Sequence, residues 1–252
     1  MKYLLSNWKM YPTVGEAVSL TGSVQAGLRA RADRGDALPL ALICPPFVAL
    51  LPVREVMDGE LVRLGAQNCH WELEGPYTGE VSPRMLAGIV DYVLIGHSER
   101  RAMGDTDEDI AKKVSAASES GLTPVLFVGE DEPSDAAARE SEERLVRGLS
   151  RIDPARQEVL VVYEPTWAIG ADEAAEGDHV RRLVEHLKDR LRELRSARQE
   201  VIYGGTVNLE NVDRFTAINA LDGVGATRAS LEAEGFLSLV DRMAAARAPA
   251  AE

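Results

Sequence analysis

Eight short apolar runs, each followed by a stretch with helical periodicity, are the feature that most limits how this chain can fold. The runs are continuous and not alternating, which is typical of parallel strands buried on both faces. They lie at Tyr3–Asn7, Leu40–Cys44, Val62–Asn68, Tyr92–Gly96, Thr123–Val128, Val159–Tyr163, Val201–Tyr203 and Gly223–Thr227. In a chain of 252 residues, eight such units have about 30 residues each, the size of one βα repeat.

The predicted helices alternate with these strands. They are expected at Val14–Ala32, Val48–Met57, Ser82–Leu86, Asp107–Ser120, Asp135–Leu149, Asp178–Arg198, Leu209–Phe215 and Ala233–Ala246. The simplest closure is a single α/β domain over residues 1–252, an eight-stranded parallel barrel with its site at the carboxyl ends of the strands and a frayed tail at about 247–252. An open doubly wound sheet is the alternative, but the turn after its first strand would usually carry glycines, and Asn7–Met10 has none.

Composition narrows the class of partner. The net charge of −13 disfavours a nucleic acid or an anionic membrane as partner, since either would require a basic face. Two cysteines make a disulfide framework unexpected. The first apolar run is too short for a signal peptide and no stretch approaches the length of a membrane span, so we expect a cytoplasmic protein.

Glu164 is the first candidate for chemistry, because it follows a predicted strand directly. Most glutamates in loops are simply solvated. Here Pro165 restricts Glu164 to extended backbone angles and stiffens the chain beyond it, so the carboxylate would be well aimed. The apolar stretch Trp167–Gly170 follows, where loops are usually polar. It is typical of a lid that excludes water and raises the basicity of the carboxylate.

His97 follows another predicted strand and precedes a polar turn. A lone histidine usually has a structural role. However, Gly96 permits a sharp turn and Ser98 can open a helix. An imidazole at a helix N-terminus lies in a positive potential and resists protonation, so it could donate a proton to an incipient enolate as the neutral form.

Lys9 lies just past the first strand, between two large apolar residues. Most lysines are solvated, but apolar neighbours favour an anchored stem and a directed ammonium. Asn7 could hold a substrate oxygen. Glu99 could pair with Lys9 and fix its position, or it could instead pair with Arg101 or Lys112 as part of an ordinary helix-face salt bridge.

Turns near the ends of the late strands are candidates for an anion site. Gly170 lies in the lid, Gly204-Gly205-Thr206 follows one strand and Ala229-Ser230 follows the last. Backbone N–H groups at such turns suit an oxyanion, although glycine pairs mostly make turns and are weak indicators of binding.

Taken in order, the strand ends resemble the successive motifs of the triosephosphate isomerase family. The resemblance covers essentially the whole chain and is far more specific than any one motif. It is carried by Asn7–Met10, Cys44–Phe47, Gly65–Asn68, Gly79–Ser82, Gly96–Arg101, Pro124–Glu130, Tyr163–Gly170 and Tyr203–Gly205. It implies a (β/α)8 TIM barrel that isomerises a small phosphorylated sugar, triose phosphates above all, and it implies no metal or organic cofactor.

The resemblance also implies roles for single residues. Glu164 would take the proton from the carbon beside the carbonyl, since a glutamate base paired with a neutral histidine is the known arrangement in that family. His97 would polarise the carbonyl and move protons between the oxygens of the enediol. Lys9 and Asn7 would hold the substrate, and Glu99 would support Lys9.

Two larger features follow from the same resemblance. The lid would run from Pro165 to about Ala175, and Tyr203 and Thr206 would meet it on closure. Members of the family are usually homodimers, in which Thr78 would reach the site of the neighbouring subunit.

Three departures from the family pattern concern the phosphate end and the lid. Thr227 and Arg228 replace a glycine pair after the last strand, so a guanidinium could grip phosphate bidentately, or could point away and pair with a carboxylate. Ala171-Asp172-Glu173-Ala174 replaces a lid ending that carries a cation. Thr206 replaces a serine and keeps the hydroxyl.

These departures leave two alternatives to a triose phosphate isomerase. At Arg228 the chain is similar to paralogues that isomerise four-carbon ketose phosphates such as erythrulose phosphate. The changed lid and phosphate loop would also suit a barrel that binds a phosphate ligand without turning it over. Against the latter, Glu164, His97 and Lys9 are all present, and a binding protein needs no base.

Overall fold

The computed structural model describes residues 2–171 and 174–246. It confirms the predicted eight-stranded parallel barrel, in which each strand pairs with the next and β1 pairs with β8 to close the ring. The strands are β1 Tyr3–Asn7, β2 Leu40–Cys44, β3 Val62–Ala66, β4 Tyr92–Ile95, β5 Thr123–Val128, β6 Leu160–Tyr163, β7 Val201–Tyr203 and β8 Gly223–Ala226. The predicted frayed tail at 247–252 lies outside the described residues.

Helices follow the strands and cover the outside of the barrel. They are α1 Val14–Asp33, α2 Leu50–Val56, α3 Pro83–Leu86, α4 Ser98–Ala102, α5 Asp107–Glu119, α6 Ala137–Leu149, α7 Gly177–Glu193, α8 Val212–Thr216 and α9 Ala233–Ala245. Short 3₁₀ turns lie at Phe47–Ala49, Thr166–Ala168 and Arg228–Ser230. In the described part of the chain, every helix is too short or too polar to traverse a lipid bilayer.

Two predicted elements extend two or more residues beyond their observed C-terminal ends, and each difference has a local cause. The third strand was expected to reach Asn68 but ends at Ala66, where the Gln67 side-chain amide donates to the carbonyls of Lys9 and Cys44, each at 2.8 Å. Helix α7 was expected to reach Arg198 but ends at Glu193, because Arg195 has a left-handed φ of 53° that a helix cannot continue through.

Side chains fill the barrel interior, as expected for eight strands. Alternate residues of each strand point inward, and the inward row of β6 is Leu160 and Val162. Glu164 lies two residues beyond Val162 and therefore on the same, inward face. The strand geometry thus aims its carboxylate into the mouth of the barrel. The outward rows pack against the helices in a second, larger apolar cluster.

Candidate active site

A cavity of about 420 Å³ opens at the carboxyl ends of the strands. The residues predicted to act on or bind the substrate line it, except Asn7, Ala229 and Ser230, although they come from five different strand–helix connections. Its lining includes Lys9, Tyr11, His97, Glu99, Glu164, Ile169, Gly170, Gly204, Gly205, Thr206, Val207, Asn208, Thr227 and Arg228. The carboxylate, imidazole and ammonium predicted to act together therefore share one space.

The backbone of Glu164 is held rigidly against β5. Its N–H donates to the carbonyl of Val128 at 2.7 Å. Gly129 makes this approach possible, because a Cβ at that position would lie only 2.1 Å from the carbonyl oxygen of Glu164. The side chain is buried, and its Oε2 accepts a hydrogen bond from the backbone N–H of Ser98 at 2.8 Å.

Burial raises the pKa of the Glu164 carboxyl, because removal from water disfavours the charged form. The nearby His97, the N–H of Ser98 and the ammonium of Lys9 act in the opposite direction, but burial outweighs them. A carboxylate in such a site is a stronger base than a solvated one, which suits the removal of a weakly acidic proton beside a carbonyl.

His97 is the N-cap residue of α4. Gly96, with φ of 80°, makes the turn from β4 into this cap. The Nδ1 atom accepts a hydrogen bond from the backbone N–H of Glu99 at 3.1 Å, so it carries a lone pair and the ring proton is assigned to Nε2. That Nε2 lies 3.2 Å from Oε1 of Glu164 and faces the cavity as a donor.

Lys9 has an unusual backbone for a residue with a side chain, with φ of 47°. Two contacts hold it there: its N–H donates to Oδ1 of Asn7 at 3.0 Å, and its carbonyl accepts from the Gln67 amide. The Nζ atom lies 2.8 Å from Oε1 of Glu99. Backbone strain at a cavity-lining residue is common where position matters for function.

The alternative pairs considered for Glu99 are not the ones that form. Arg101 pairs with Asp107 at 2.7 Å, and Lys112 pairs with Glu108 at 3.0 Å. Glu99 is therefore available to Lys9, and its second oxygen lies 3.9 Å from Nδ1 of His97.

The segment predicted to be the lid is held at both ends, by Thr206 in the loop after β7 and by Tyr203 at the end of β7. The Thr206 hydroxyl donates to the carbonyl of Ala168 at 2.8 Å, and the Tyr203 hydroxyl accepts from the N–H of Ala175 at 3.2 Å. Gly170 has φ of 70°, a conformation that a side chain would strain. Of the changed lid ending, Asp172 and Glu173 lie outside the described residues.

Thr227 and Arg228 stand where β8 leads into a 3₁₀ turn. The far end of this turn is anchored, because the buried Ser230 hydroxyl donates to the carbonyls of Ala226 and Thr227 and accepts from Ser6. Arg228 has an exposed side chain that lines the cavity, and within residues 2–171 and 174–246 no carboxylate forms an ion pair with it.

A second cavity, of about 500 Å³, adjoins the first and shares Lys9, Tyr11, His97 and Glu99 with it. Asn7 lines this second cavity and not the first. The remaining lining includes large apolar side chains, of which Met10 is 94% exposed and Met103 74% exposed.

Sequence reasoning did not single out three residues that the structure places at the site. Tyr11 and Asn208 line the first cavity, and Glu130 is fully buried behind the lid. Glu130 had a usable signal, because it lies two residues past the end of β5, close to the place that Glu164 takes directly after β6. Tyr11 and Asn208 lie in loops whose course no local pattern indicates.

Comparison of the sequence with known proteins points to one family. A sequence model of the triosephosphate isomerase family matches residues 2–243. Relatives named triosephosphate isomerase include one from Dehalococcoides mccartyi, 35% identical over 97% of this chain and 98% of the relative. Others come from Carboxydothermus hydrogenoformans, 38% identical over 94% and 97%, and from Roseiflexus sp., 39% identical over 94% and 95%. The chain therefore belongs to the triosephosphate isomerase family.

Proposed function

We propose that this chain is an aldose–ketose isomerase that interconverts dihydroxyacetone phosphate and glyceraldehyde 3-phosphate through an enediolate. The observation that carries the proposal is the placement of a buried carboxylate, Glu164, 3.2 Å from the Nε2 atom of His97 in a cavity that Lys9 also lines. A base, a neutral hydrogen-bond donor and a cation are the three groups that proton transfer beside a carbonyl requires.

The chemistry then assigns one task to each group. Glu164 removes the proton from the carbon beside the carbonyl and returns it to the neighbouring carbon. His97 donates from Nε2 to the oxygen on which negative charge develops and moves protons between the two oxygens. Lys9, held by Glu99, stabilises the negative charge. One carbon is oxidised as its neighbour is reduced, so the reaction balances within the substrate and we propose no cofactor.

The far end of the cavity suits the phosphate. Gly170, Gly205, Thr206 and Thr227 line that part with backbone and hydroxyl groups, and Arg228 adds a guanidinium. Arginine binds phosphate oxygens with two parallel hydrogen bonds, which an ammonium cannot do. Asn7, whose side chain fixes the N–H of Lys9, would act on the substrate through the position of Lys9.

We also propose a homodimer of single-domain subunits in the cytoplasm. The exposed methionines around the second cavity form an apolar surface that a second copy would cover. Residues 72–80, which include Thr78, are exposed on each subunit and would enter the second cavity of the neighbour.

A direct test is turnover of dihydroxyacetone phosphate and of erythrulose phosphate by the same preparation. We expect a clear preference for the triose phosphate. Glu164→Asp should lower kcat by about 10²-fold or more while circular dichroism stays unchanged, because the shorter side chain misplaces the base. Preference for erythrulose phosphate would make a tetrulose phosphate the substrate in place of the triose phosphate. Phosphate binding without any turnover would contradict the enzyme assignment.

A further inference from the structure

The first turn of the lid and the helix that follows the lid meet at a buried carboxylate that takes no direct part in the proposed reaction. Glu130 follows β5 and is fully buried. Its Oε1 accepts hydrogen bonds from the Tyr163 hydroxyl at 2.9 Å and from the indole Nε1 of Trp167 at 3.0 Å. His179 Nε2 lies 2.9 Å from the same oxygen. Trp167 belongs to the first turn of the lid, whereas His179 lies beyond its far end, in the first turn of α7.

A buried carboxylate is stable only when donors replace the water that it has lost. Besides the three donors on Oε1, the Ser141 hydroxyl donates to Oε2 at 3.1 Å. Burial and the neighbouring Glu130 raise the pKa of the Tyr163 hydroxyl, so it stays protonated and keeps its donor role. The Tyr163 and Ser141 donors come from a strand and a helix of the barrel, and only Trp167 belongs to the lid.

His179 contacts Trp167 as well as Glu130. Its ring lies edge-on to the indole, with centroids 5.8 Å apart and an interplanar angle of 72°. The side chain is largely buried, with 15% exposed. His179 thus packs directly on the first turn of the lid and shares the carboxylate oxygen on which the indole N–H depends.

Glu130 also holds the backbone of the first lid turn, Thr166–Ala168. The N–H of Thr166 donates to the carbonyl of Glu130 at 3.0 Å, and its hydroxyl donates to that carbonyl at 2.7 Å. A shift of Glu130 would therefore move the turn at two points, its backbone and the Trp167 indole. Pro165 joins this turn directly to Glu164, so the position of the turn also bears on the proposed base.

We propose that His179 is a positioning residue for the lid, which acts by holding Glu130 and Trp167 in place and thereby fixes the turn that follows the proposed base. The inference rests on the isomerase proposed above. The hydrogen bond from Nε2 is the contact that performs this task, because it is directed at the shared oxygen. Packing of the ring against the indole adds to it.

Two amide substitutions at position 179 test whether the length of the side chain matters apart from its polarity. His179→Gln keeps an N–H donor at about the distance of Nε2, whereas His179→Asn is one methylene shorter and leaves the oxygen without that donor. We expect His179→Asn to lower kcat/KM for dihydroxyacetone phosphate about tenfold, with most of the loss in kcat. His179→Gln should stay within about threefold of the wild type.

His186 provides a matched control on the same helix. Its Nε2 lies 2.7 Å from Oε2 of Glu142, so His186→Asn also removes a histidine–carboxylate contact of α7, but one that is remote from the lid. We expect it to leave kcat/KM unchanged. Hydrogen–deuterium exchange of the peptide 166–171 should be faster in His179→Asn than in His186→Asn, and this readout does not depend on turnover.

The proposal is overturned if His179→Asn and His186→Asn agree within twofold in kcat/KM and also in exchange of the lid peptide. It is likewise overturned if His179→Gln loses as much activity as His179→Asn, since reach to Glu130 would then be irrelevant. If the wild type turns over neither substrate, the proposed function fails, and the exchange comparison still decides the role of His179.

Discussion

At the scale of single residues, the site combines groups that sequence patterns can indicate with contacts that they cannot. Glu164, His97 and Lys9 follow strand ends and could be predicted as a base, a donor and a cation. The hydrogen bond from the Glu99 N–H to Nδ1 of His97 could not, because it depends on the cap geometry of α4. Yet this bond is what assigns the ring proton to Nε2.

The pH dependence of the reaction should report the burial of Glu164. Because burial raises the pKa of this carboxyl, the base becomes protonated at a pH above the ordinary glutamate value of about 4.3. We expect kcat/KM to fall as the pH is lowered through the raised value, which the acid limb of the profile measures. An acid limb at or below pH 4.3 would mean that the base is solvated or is another group.

Arg228 should contribute mainly to binding of the phosphate. Arg228→Gln should raise KM for dihydroxyacetone phosphate by about tenfold or more, because hydrogen bonds to charged groups contribute about 1.5–3 kcal/mol. Arg139→Gln is the matched control: it changes the net charge equally, but Arg139 is a 79% exposed residue of α6. Steady-state kinetics measure KM for both variants. Equal KM values for Arg228→Gln and Arg139→Gln would show that Arg228 points away from the substrate.

At the scale of elements, the order and type of the helices and strands could be predicted, and the errors lie at their ends. Four strands, β1, β2, β5 and β7, have the predicted bounds, because a continuous apolar run directly marks where a strand is buried. Termini depend on contacts from elsewhere. The N-terminus of α8 is an example: it was expected at Leu209 but lies at Val212, because the Asn208 side chain accepts from the N–H groups of Glu210 and Asn211.

The close approach of β5 to the start of the lid allows a test at this scale. Gly129→Ala would place a Cβ 2.1 Å from the carbonyl oxygen of Glu164, so the backbone that carries the base must move. We expect lower thermal stability and a loss of kcat of at least tenfold, because small misplacements of a catalytic group are costly.

Gly22→Ala is the control for this substitution. Gly22 lies within α1 and a Cβ there would have no neighbour within 4 Å, so alanine should stabilise the helix by up to about 1 kcal/mol and leave kcat unchanged. Calorimetry measures the thermal stability of both variants, and steady-state kinetics measure their kcat. Unchanged turnover in Gly129→Ala would show that the strand can shift without moving Glu164.

At the scale of the whole molecule, the second cavity has an exposed apolar rim. Met10 and Met103 project there with little cover, and single exposed apolar residues are ordinary but a cluster beside a cavity is not. The sequence could not place this rim, because its members come from separate loops and meet only in the folded barrel.

A charged substitution in the rim should separate the proposed subunits. Met103→Glu places a carboxylate where the neighbouring subunit would pack, so we expect a monomer at concentrations at which the wild type is a dimer, with reduced turnover per subunit. Leu209→Glu, at an apolar residue that is 37% exposed and lies outside this rim, should leave the dimer intact. Sedimentation equilibrium measures both. A wild type that is monomeric at high concentration and fully active would contradict the proposed homodimer.

The direct contact between Glu164 and His97 has a consequence for inhibitor design. A compound that places an oxygen between the carboxylate and the imidazole must first part them, so its measured affinity understates how well it fits. Compounds that occupy only the anion end leave the contact intact and are spared this cost. Ranking a chemical series by affinity alone would therefore favour simple anions over true mimics of the reaction intermediate.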